Sequence, residues 1–359
     1  VQPQSIYELS LEELVAVLKG WGQPAYRARQ IWEWLYQHKV ASFGEMTTLP
    51  QVLRDLLEAQ FRVGALELVT EVHSTDGQTV KRLWQLPDGQ MIESVLMEYD
   101  GVRRTACIST QAGCAMGCVF CATGQMGFAR HLTTGEIVEQ AVQFARQLES
   151  QGERLSNVVL MGMGEPLHNY DATLRAIARL NDPAGLNIGQ RHITLSTVGL
   201  VPAIRKFADE QLQVGLAISL HAATDEERSR LLPVNKRWPL AKLLDAVRDY
   251  IERTGRRVTF EWALIAGEND TVEQAQTLGQ LLHGLKCHVN LIPLNPTSGY
   301  SGRPSDPARV ETFQAVLRSY HIESTVRVRR GIDIQAGCGQ LKARVVQSKQ
   351  RTTPNQDRG

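Results

Sequence analysis

The chain has 359 residues, 43% hydrophobic and 21% charged, a balance that fits one large globular domain or two smaller ones and excludes a disordered or fibrous chain. Its 39 Lys and Arg stand against 38 Asp and Glu, so a net charge of +1 offers no whole-chain argument for nucleic acid. No apolar run approaches the roughly 18 residues of a membrane span, and six cysteines are too sparse for a disulfide framework. The opening VQPQSIYELSLEEL lacks the basic and apolar regions of a secretory leader, so a cytoplasmic location away from membranes is expected.

Residues 1–62 read as helices forming a small accessory domain. Ser10 with Glu13 three residues on is a capping box. Pro24 opens a second helix, with Ile31, Trp34, Leu35 and His38 expected on one face, and Pro50 opens a third. Residues 63–101 switch to strand signals broken by Asp76-Gly77 and Asp88-Gly89, a short β-hairpin connector.

From about residue 103, strands at TACIST, NVVLMGM, HITLST, VGLAISL, VTFEWAL, HVNLIPL and STVRVR alternate with helices over 133–149, 171–180, 202–209, 239–254, 272–283 and 307–320. Such alternation implies an α/β fold with a parallel sheet and crossovers, here a partial (β/α)6 barrel over 102–346. The polar tail 347–359 is expected to be disordered. Basic residues gather at 327–351 and, as Arg103, Arg104, Arg130 and His131, around the first strand and its loop; such runs are more often solvated faces than binding sites.

In such a core, ligands bind beyond the C-terminal ends of the strands. The first strand leads into GCAMGCVFCATGQMGF, where Cys114, Cys118 and Cys121 stand among glycines that let the backbone fold tightly. Three thiolates leave a four-site metal centre one ligand short. Structural zinc closes its shell with four, so a zinc knuckle would have to recruit Cys107 or His131. The other strand ends carry small and polar residues, in Gly162-Met-Gly164-Glu165-Pro166, Ser196-Thr197, Ser219-Leu220-His221 and Leu294-Asn295-Pro296, which together describe a pocket for a polar ligand. Gly162-x-Gly164 is not a dinucleotide fingerprint, since Leu167 occupies the third glycine position. Cys338 lies between glycines near the C-terminus, on what reads as an exposed turn, and Cys287 reads as an inert core thiol before a buried strand.

Cys114-Ala-Met-Gly-Cys118-Val-Phe-Cys121 resembles the cluster motif of the radical SAM superfamily. The resemblance implies one [4Fe–4S] cluster per chain, with an open iron that chelates S-adenosylmethionine (SAM), and Phe120 near the SAM adenine or simply packed in the core. Together with RRTACIST, LMGMGEPLHNY, HITLSTVG, AISLHAA, LIPLNP and RGIDIQAGCGQL, the motif resembles the RlmN/Cfr family over about residues 20–346.

That family implies methylation of an aromatic adenine carbon in 23S ribosomal RNA and, in many members, transfer RNA. It implies two SAM per turnover, an electron donor such as flavodoxin, and a monomer. Residue by residue, it implies Cys338 as the methyl-carrying cysteine, Cys107 as its resolving partner in a transient disulfide, and Glu93 as the base, unless Glu93 is a solvent-facing strand residue. It implies SAM contacts at Gly164, Glu165, Ser196, Ser219, Leu220, His221 and Asn295, with His221 acting by side chain or backbone. Two other readings stand beside C2 methylation: C8 methylation of the same adenine, and a non-catalytic RNA-binding zinc module.

Overall fold

The computed structural model describes residues 3–99, 101–327 and 340–342. Cys338 and the tail 347–359 therefore lie outside the described residues.

The N-terminal part is helical, as expected: β1 (Gln4–Ser5), α1 (Leu11–Gly20), α2 (Tyr26–Tyr36), α3 (Gln51–Gln60) and β2 (Phe61–Arg62), with β1 and β2 paired in parallel. The capping box is formed: Glu13 N–H donates to Ser10 Oγ at 3.1 Å, and Ser10 N–H donates to the Glu13 carboxylate at 2.6 Å. The expected face of α2 is corrected. Its buried residues are Ala28, Ile31, Trp32, Leu35 and Tyr36, because three i,i+4 pairs (28/32, 31/35 and 32/36) together point one stripe at the core. Trp34 is half-buried and His38 exposed, with their rings 4.4 Å apart.

The three hairpin strands, β3 (Glu67–His73), β4 (Thr79–Gln85) and β5 (Met91–Tyr99), are present, with Gly77 at φ +70° and Gly89 at φ +80° in the turns. They are more than a connector. Strand β5 pairs antiparallel with β6 (Arg103–Cys107), the first strand of the core, so hairpin and barrel share one ten-stranded sheet. After β6 comes a small hairpin that the sequence did not announce: β7 (Gln111–Gly113) and β8 (Phe128–His131), with the cysteine loop and the one-turn α4 (Ala122–Gln125) between them.

The repeating part follows as α5 (Thr134–Ser150), β9 (Asn157–Leu160), α6 (Tyr170–Asn181), β10 (Ile193–Thr197), α7 (Val201–Asp209), β11 (Gly215–Ser219), α8 (Asp225–Leu231), α9 (Leu240–Thr254), β12 (Val258–Leu264), α10 (Val272–Leu282), β13 (Cys287–Pro293), α11 (Pro307–Ser319) and β14 (Ser324–Val326). The strand order is β14-β13-β12-β11-β10-β9-β6-β5-β4-β3, and every pair from β6 to β14 is parallel. Strands β6 and β9 to β13, each followed by a crossover helix, make six β/α units, and β14 adds a last short strand. The (β/α)6 expectation holds. Cys287 is corrected: it is the first residue of β13, half-buried, and burial pushes its thiol up to about 11.

Alternation along the strands sorts the two sheet faces. Leu195, Leu216, Ile218, Phe260, Trp262 and Leu291 are buried in the core. Between them, Thr194, Ser196, Ser219, Thr259, Glu261 and Asn290 line the open spaces of the concave side. The barrel is thus apolar towards its helices and polar inside.

Glu139 on α5 pins the link between β2 and β3 to the barrel. Its carboxylate accepts Ala65 N–H at 2.6 Å and Leu66 N–H at 3.1 Å, and it is 1% exposed. Burial raises its pKa from 4.5 to about 7, against the lowering effect of those backbone donors. A carboxyl raised on folding stabilises the fold fully below about 4.5 and loses that contribution as pH climbs through about 7, a change on the order of 3 kcal/mol. Chemical denaturation across this window should show a steeper loss of stability with rising pH for the natural chain than for Glu139→Gln; parallel curves would contradict the assignment.

Candidate active site

The site begins with the backbone of the cysteine loop. Gly113 has φ +82°, and a Cβ there would collide with the Gly127 carbonyl, so only glycine lets the two hairpin strands close. Cys114 N–H then donates to Gly127 O at 2.8 Å, Val119 N–H to Leu231 O at 3.1 Å, and the Gln125 side-chain amide to Val119 O at 2.7 Å. Gly124 packs against the backbone of Cys118. Held in this way, Cys114, Cys118 and Cys121 all line one cleft of about 210 Å³.

The opposite walls are the strand ends anticipated from sequence. Gly164, Glu165, Ser196, Ser219 and His221 line the same cleft. Leu220 is fully buried, its carbonyl accepting from Arg228 Nε at 3.2 Å, and Asn295 is exposed beyond the end of β13; neither lines the cleft.

Glu165 ties the walls together. Its N–H donates to Gln111 Oε1 at 2.9 Å, and its carboxylate accepts Leu167 N–H at 3.1 Å and Val198 N–H at 2.8 Å. Burial raises its pKa to about 7. Gly164, at φ +105°, would place a Cβ 2.6 Å from that of Gln111, so this wall also requires glycine.

His221 sits at φ +59° and is 6% exposed. Its Nδ1 accepts Ala263 N–H at 2.8 Å, and its carbonyl accepts from the Asn269 side chain at 2.8 Å. Burial, then the nearby Arg228 guanidinium, lower its pKa to about 3. The imidazole is therefore neutral with its proton on Nε2. Phe120 packs edge-on against it, ring centroids 4.9 Å apart; it lines the cleft and also packs against a small hydrophobic cluster around Cys118, Leu232 and Ile265.

Several residues of the site were not singled out from sequence. Arg228 on α8 is fully buried and donates to the carbonyls of Val198, Ser219 and Leu220 and to Asn235. In sequence it resembles any charge on a solvated helix. Glu261 lies in the cleft, accepts from Asn290 Nδ2 at 2.8 Å, and is raised by burial. An acid in the apolar run VTFEWAL was a legible signal.

The cysteines suit an iron–sulfur group. Burial pushes Cys114 up to about 12 and Cys118 well above the usual thiol range, so each needs a strong local cation to act as a thiolate ligand. Among the described residues no set of His, Cys, Asp or Glu side chains gathers as for a single metal ion.

Glu93 is not solvent-facing. It is 2% exposed, paired with the fully buried Lys81 at 2.8 Å, and accepts Lys342 N–H at 2.6 Å. Cys107, also buried, pairs with Val95 on β5. Residues 93 and 95 share a face of β5, so Glu93 and Cys107 are diagonal neighbours on one side of the sheet. Ser109 Oγ, opposite Glu93, donates to the Glu93 carbonyl at 2.5 Å.

Two family models match the chain: the radical SAM superfamily over residues 108–278 and a ribosomal RNA large subunit methyltransferase N-terminal domain over residues 4–63. It is 56% identical to the dual-specificity RNA methyltransferase RlmN 1 of Myxococcus xanthus, over 98% of this chain and 97% of that protein. It is 49% identical to a probable dual-specificity RNA methyltransferase RlmN of Geobacillus kaustophilus, over 95% and 93% of the two chains. A crystal structure of a radical SAM methyltransferase from Sphaerobacter thermophilus superposes with a TM-score of 0.92 at 49% identity, covering 94% of this chain and 99% of that one.

Removing one partner of the buried Lys81–Glu93 pair leaves an uncompensated charge. Lys81→Met should cost about 3–5 kcal/mol of unfolding free energy, measured by urea titration, with Lys81→Met/Glu93→Leu recovering part of it. His221→Leu leaves Ala263 N–H unsatisfied and should cost about 1–3 kcal/mol in the same measurement.

Proposed function

The chain belongs to the RlmN family of radical SAM RNA methyltransferases, and from that premise we propose that it methylates C2 of an adenine in 23S ribosomal RNA and in a transfer RNA through an S-methylcysteine at Cys338. Family membership implies an iron–sulfur cluster and SAM. The RNA assignment is supported by the names of the relatives and by the description of the N-terminal family model. The observation that carries the cysteine chemistry is the Lys342 N–H on Glu93 Oε1 at 2.6 Å. It draws the chain four residues beyond Cys338 onto the sheet face shared by Glu93 and Cys107.

Adenine C2 lies between two ring nitrogens and is electron-poor, so it offers no lone pair to a methyl donor. The protein must therefore carry the carbon itself. Cys338, as thiolate, takes the methyl of a first SAM, displacing S-adenosylhomocysteine. Bound through Cys114, Cys118 and Cys121, one cluster per chain would supply the electron that cleaves a second SAM and makes its adenosyl group a hydrogen acceptor. Cys338 then loses a hydrogen from its S-methyl group, and the resulting carbon adds to C2, linking protein to RNA. Glu93 takes the C2 proton as the adduct gives up its unpaired electron to the bound cluster, so the ring regains aromaticity with a thioether link to Cys338. Cys107, as thiolate, attacks the Cys338 sulfur; the released methylene carbon takes up a proton to become the methyl group, leaving a disulfide for a reductant to open.

The rest of the cleft holds SAM. Glu165 accepts from its amino group. Ser196, Ser219 and the Nε2–H of His221 offer hydrogen bonds to its carboxylate and ribose. Gly164 keeps the wall thin, while Leu220 acts from behind it and Asn295 from its outer rim. The setting is a cytoplasmic monomer served by a flavodoxin-like donor; among the described residues no helix is long and apolar enough to cross a membrane.

Peptide mapping of anaerobically purified protein should find one added methyl on Cys338; a cluster-loaded protein whose Cys338 stays bare in SAM would refute the mechanism. Cys338→Ala should abolish methylation. Cys107→Ala should accumulate a protein–RNA crosslink, and free turnover by that variant would remove Cys107 from its role. The modified nucleoside should be 2-methyladenosine; 8-methyladenosine as sole product would move the chain to the other chemistry.

A further inference from the structure

Three rings stand exposed together beside the hairpin that frames the cysteine loop, Phe128 and His131 on β8 and His168 in the loop before α6. Phe128 is 41% exposed, and His131 and His168 are also exposed. Their centroids lie 4.9 Å apart for the two histidines, 5.1 Å for Phe128 and His131, and 5.8 Å for Phe128 and His168. They form one contiguous patch, although they come from two parts of the chain, β8 and the loop before α6.

The patch is rigid and its hydrogen-bonding sense is determined. Glu165 N–H can only donate, so the group it meets at 2.9 Å is Gln111 Oε1. Gln111 Nε2 must then be the donor, and it lies 3.1 Å from His131 Nδ1 and 3.1 Å from His168 Nδ1. Both rings accept at Nδ1, so both are neutral and carry their proton on Nε2. Asn169 adds a brace, donating to Thr110 O at 2.9 Å and Leu132 O at 2.8 Å. Gln111 is fully buried and packs against Gly164, which lines the reaction cleft. One side chain therefore separates the patch from the cleft wall.

We propose that Phe128, with His131 and His168 tilted 55–70° against it and each other, offers its ring face as a stacking site for an unpaired base of the RNA substrate adjacent to the nucleotide being methylated, with the histidine Nε2–H groups offered to base or ribose oxygens. RNA bases recognised outside a duplex are splayed and stacked on aromatic rings. Ordering three rings beforehand lowers the entropic cost of doing so. Charge does not account for the patch: Arg130, the cation beside it on β8, is already held bidentately by Glu136 at 2.8 Å and by Asp88 at 2.5 Å. The inference rests on RNA being the substrate.

The test is binding of a fluorescein-labelled RNA stem-loop, with the target adenine unpaired in its loop, to the full-length, cluster-loaded protein. Phe128→Ala should weaken binding about 5- to 100-fold without changing the salt dependence, since no phosphate contact is lost. Phe128→Tyr should bind like the natural protein, and His131→Ala/His168→Ala should weaken binding in the same sense. SAM affinity, measured by equilibrium dialysis without RNA, should be unchanged in all three. Natural affinity in Phe128→Ala would overturn the platform alone. A loss of SAM affinity alongside RNA affinity would also overturn it, by showing a damaged hairpin. Failure of the natural protein to bind the stem-loop would instead overturn the RNA reading.

Discussion

The cleft depends on a single buried carboxylate. Glu165 lies after β9, yet its two oxygens hold the Leu167 and Val198 amides, and its own amide holds Gln111 on β7. Three strand ends from separate stretches of the chain are thereby set around one space. Such a group is costly to bury and is tolerated because backbone donors replace its water. Its raised pKa expresses that desolvation. The same desolvation makes Glu165 receptive to an ammonium ion, in keeping with its proposed contact to the amino group of SAM.

A second constraint is steric. At Gly113 and Gly164 the backbone is left-handed and a neighbour occupies the place of a Cβ. At Gly162 a Cβ would stand 2.6 Å from the Ile108 carbonyl. These close approaches bring the cysteine loop and the first strand ends within reach of one ligand. Arg228 completes the enclosure by gathering the carbonyls of β10 and β11 at their ends. The site is thus built largely from main chain, with side chains acting as ties.

The antiparallel strands before the barrel serve the proposed chemistry as well as the fold. Because β5 pairs with β6, Glu93 and Cys107 share a face and stand one diagonal step apart. Lys81 offsets the Glu93 charge where water cannot, and the turn at 340–342 closes on it. A hairpin read from sequence as a connector is therefore one wall of the working barrel.

Much of this was written in the sequence by itself. Period-two and period-3.6 patterns determined the strands and crossover helices, because burying one face of each element is a local requirement. The spacing of Cys114, Cys118 and Cys121, and the small residues at strand ends, marked the site, because a tight loop and a polar rim each need particular residue types. Tertiary structure alone decided which polar residues were buried. Arg228, Gln111 and the pair Lys81–Glu93 look in sequence like any solvated charge or amide; their roles come from partners between 7 and 249 residues away. It also decided that Phe128, His131 and His168 meet, since they come from two segments tied through Gln111 and Asn169. Local pattern fixes an element because its causes lie within a few residues. A buried polar contact is set by the fold, since its partner is brought near only when distant segments pack.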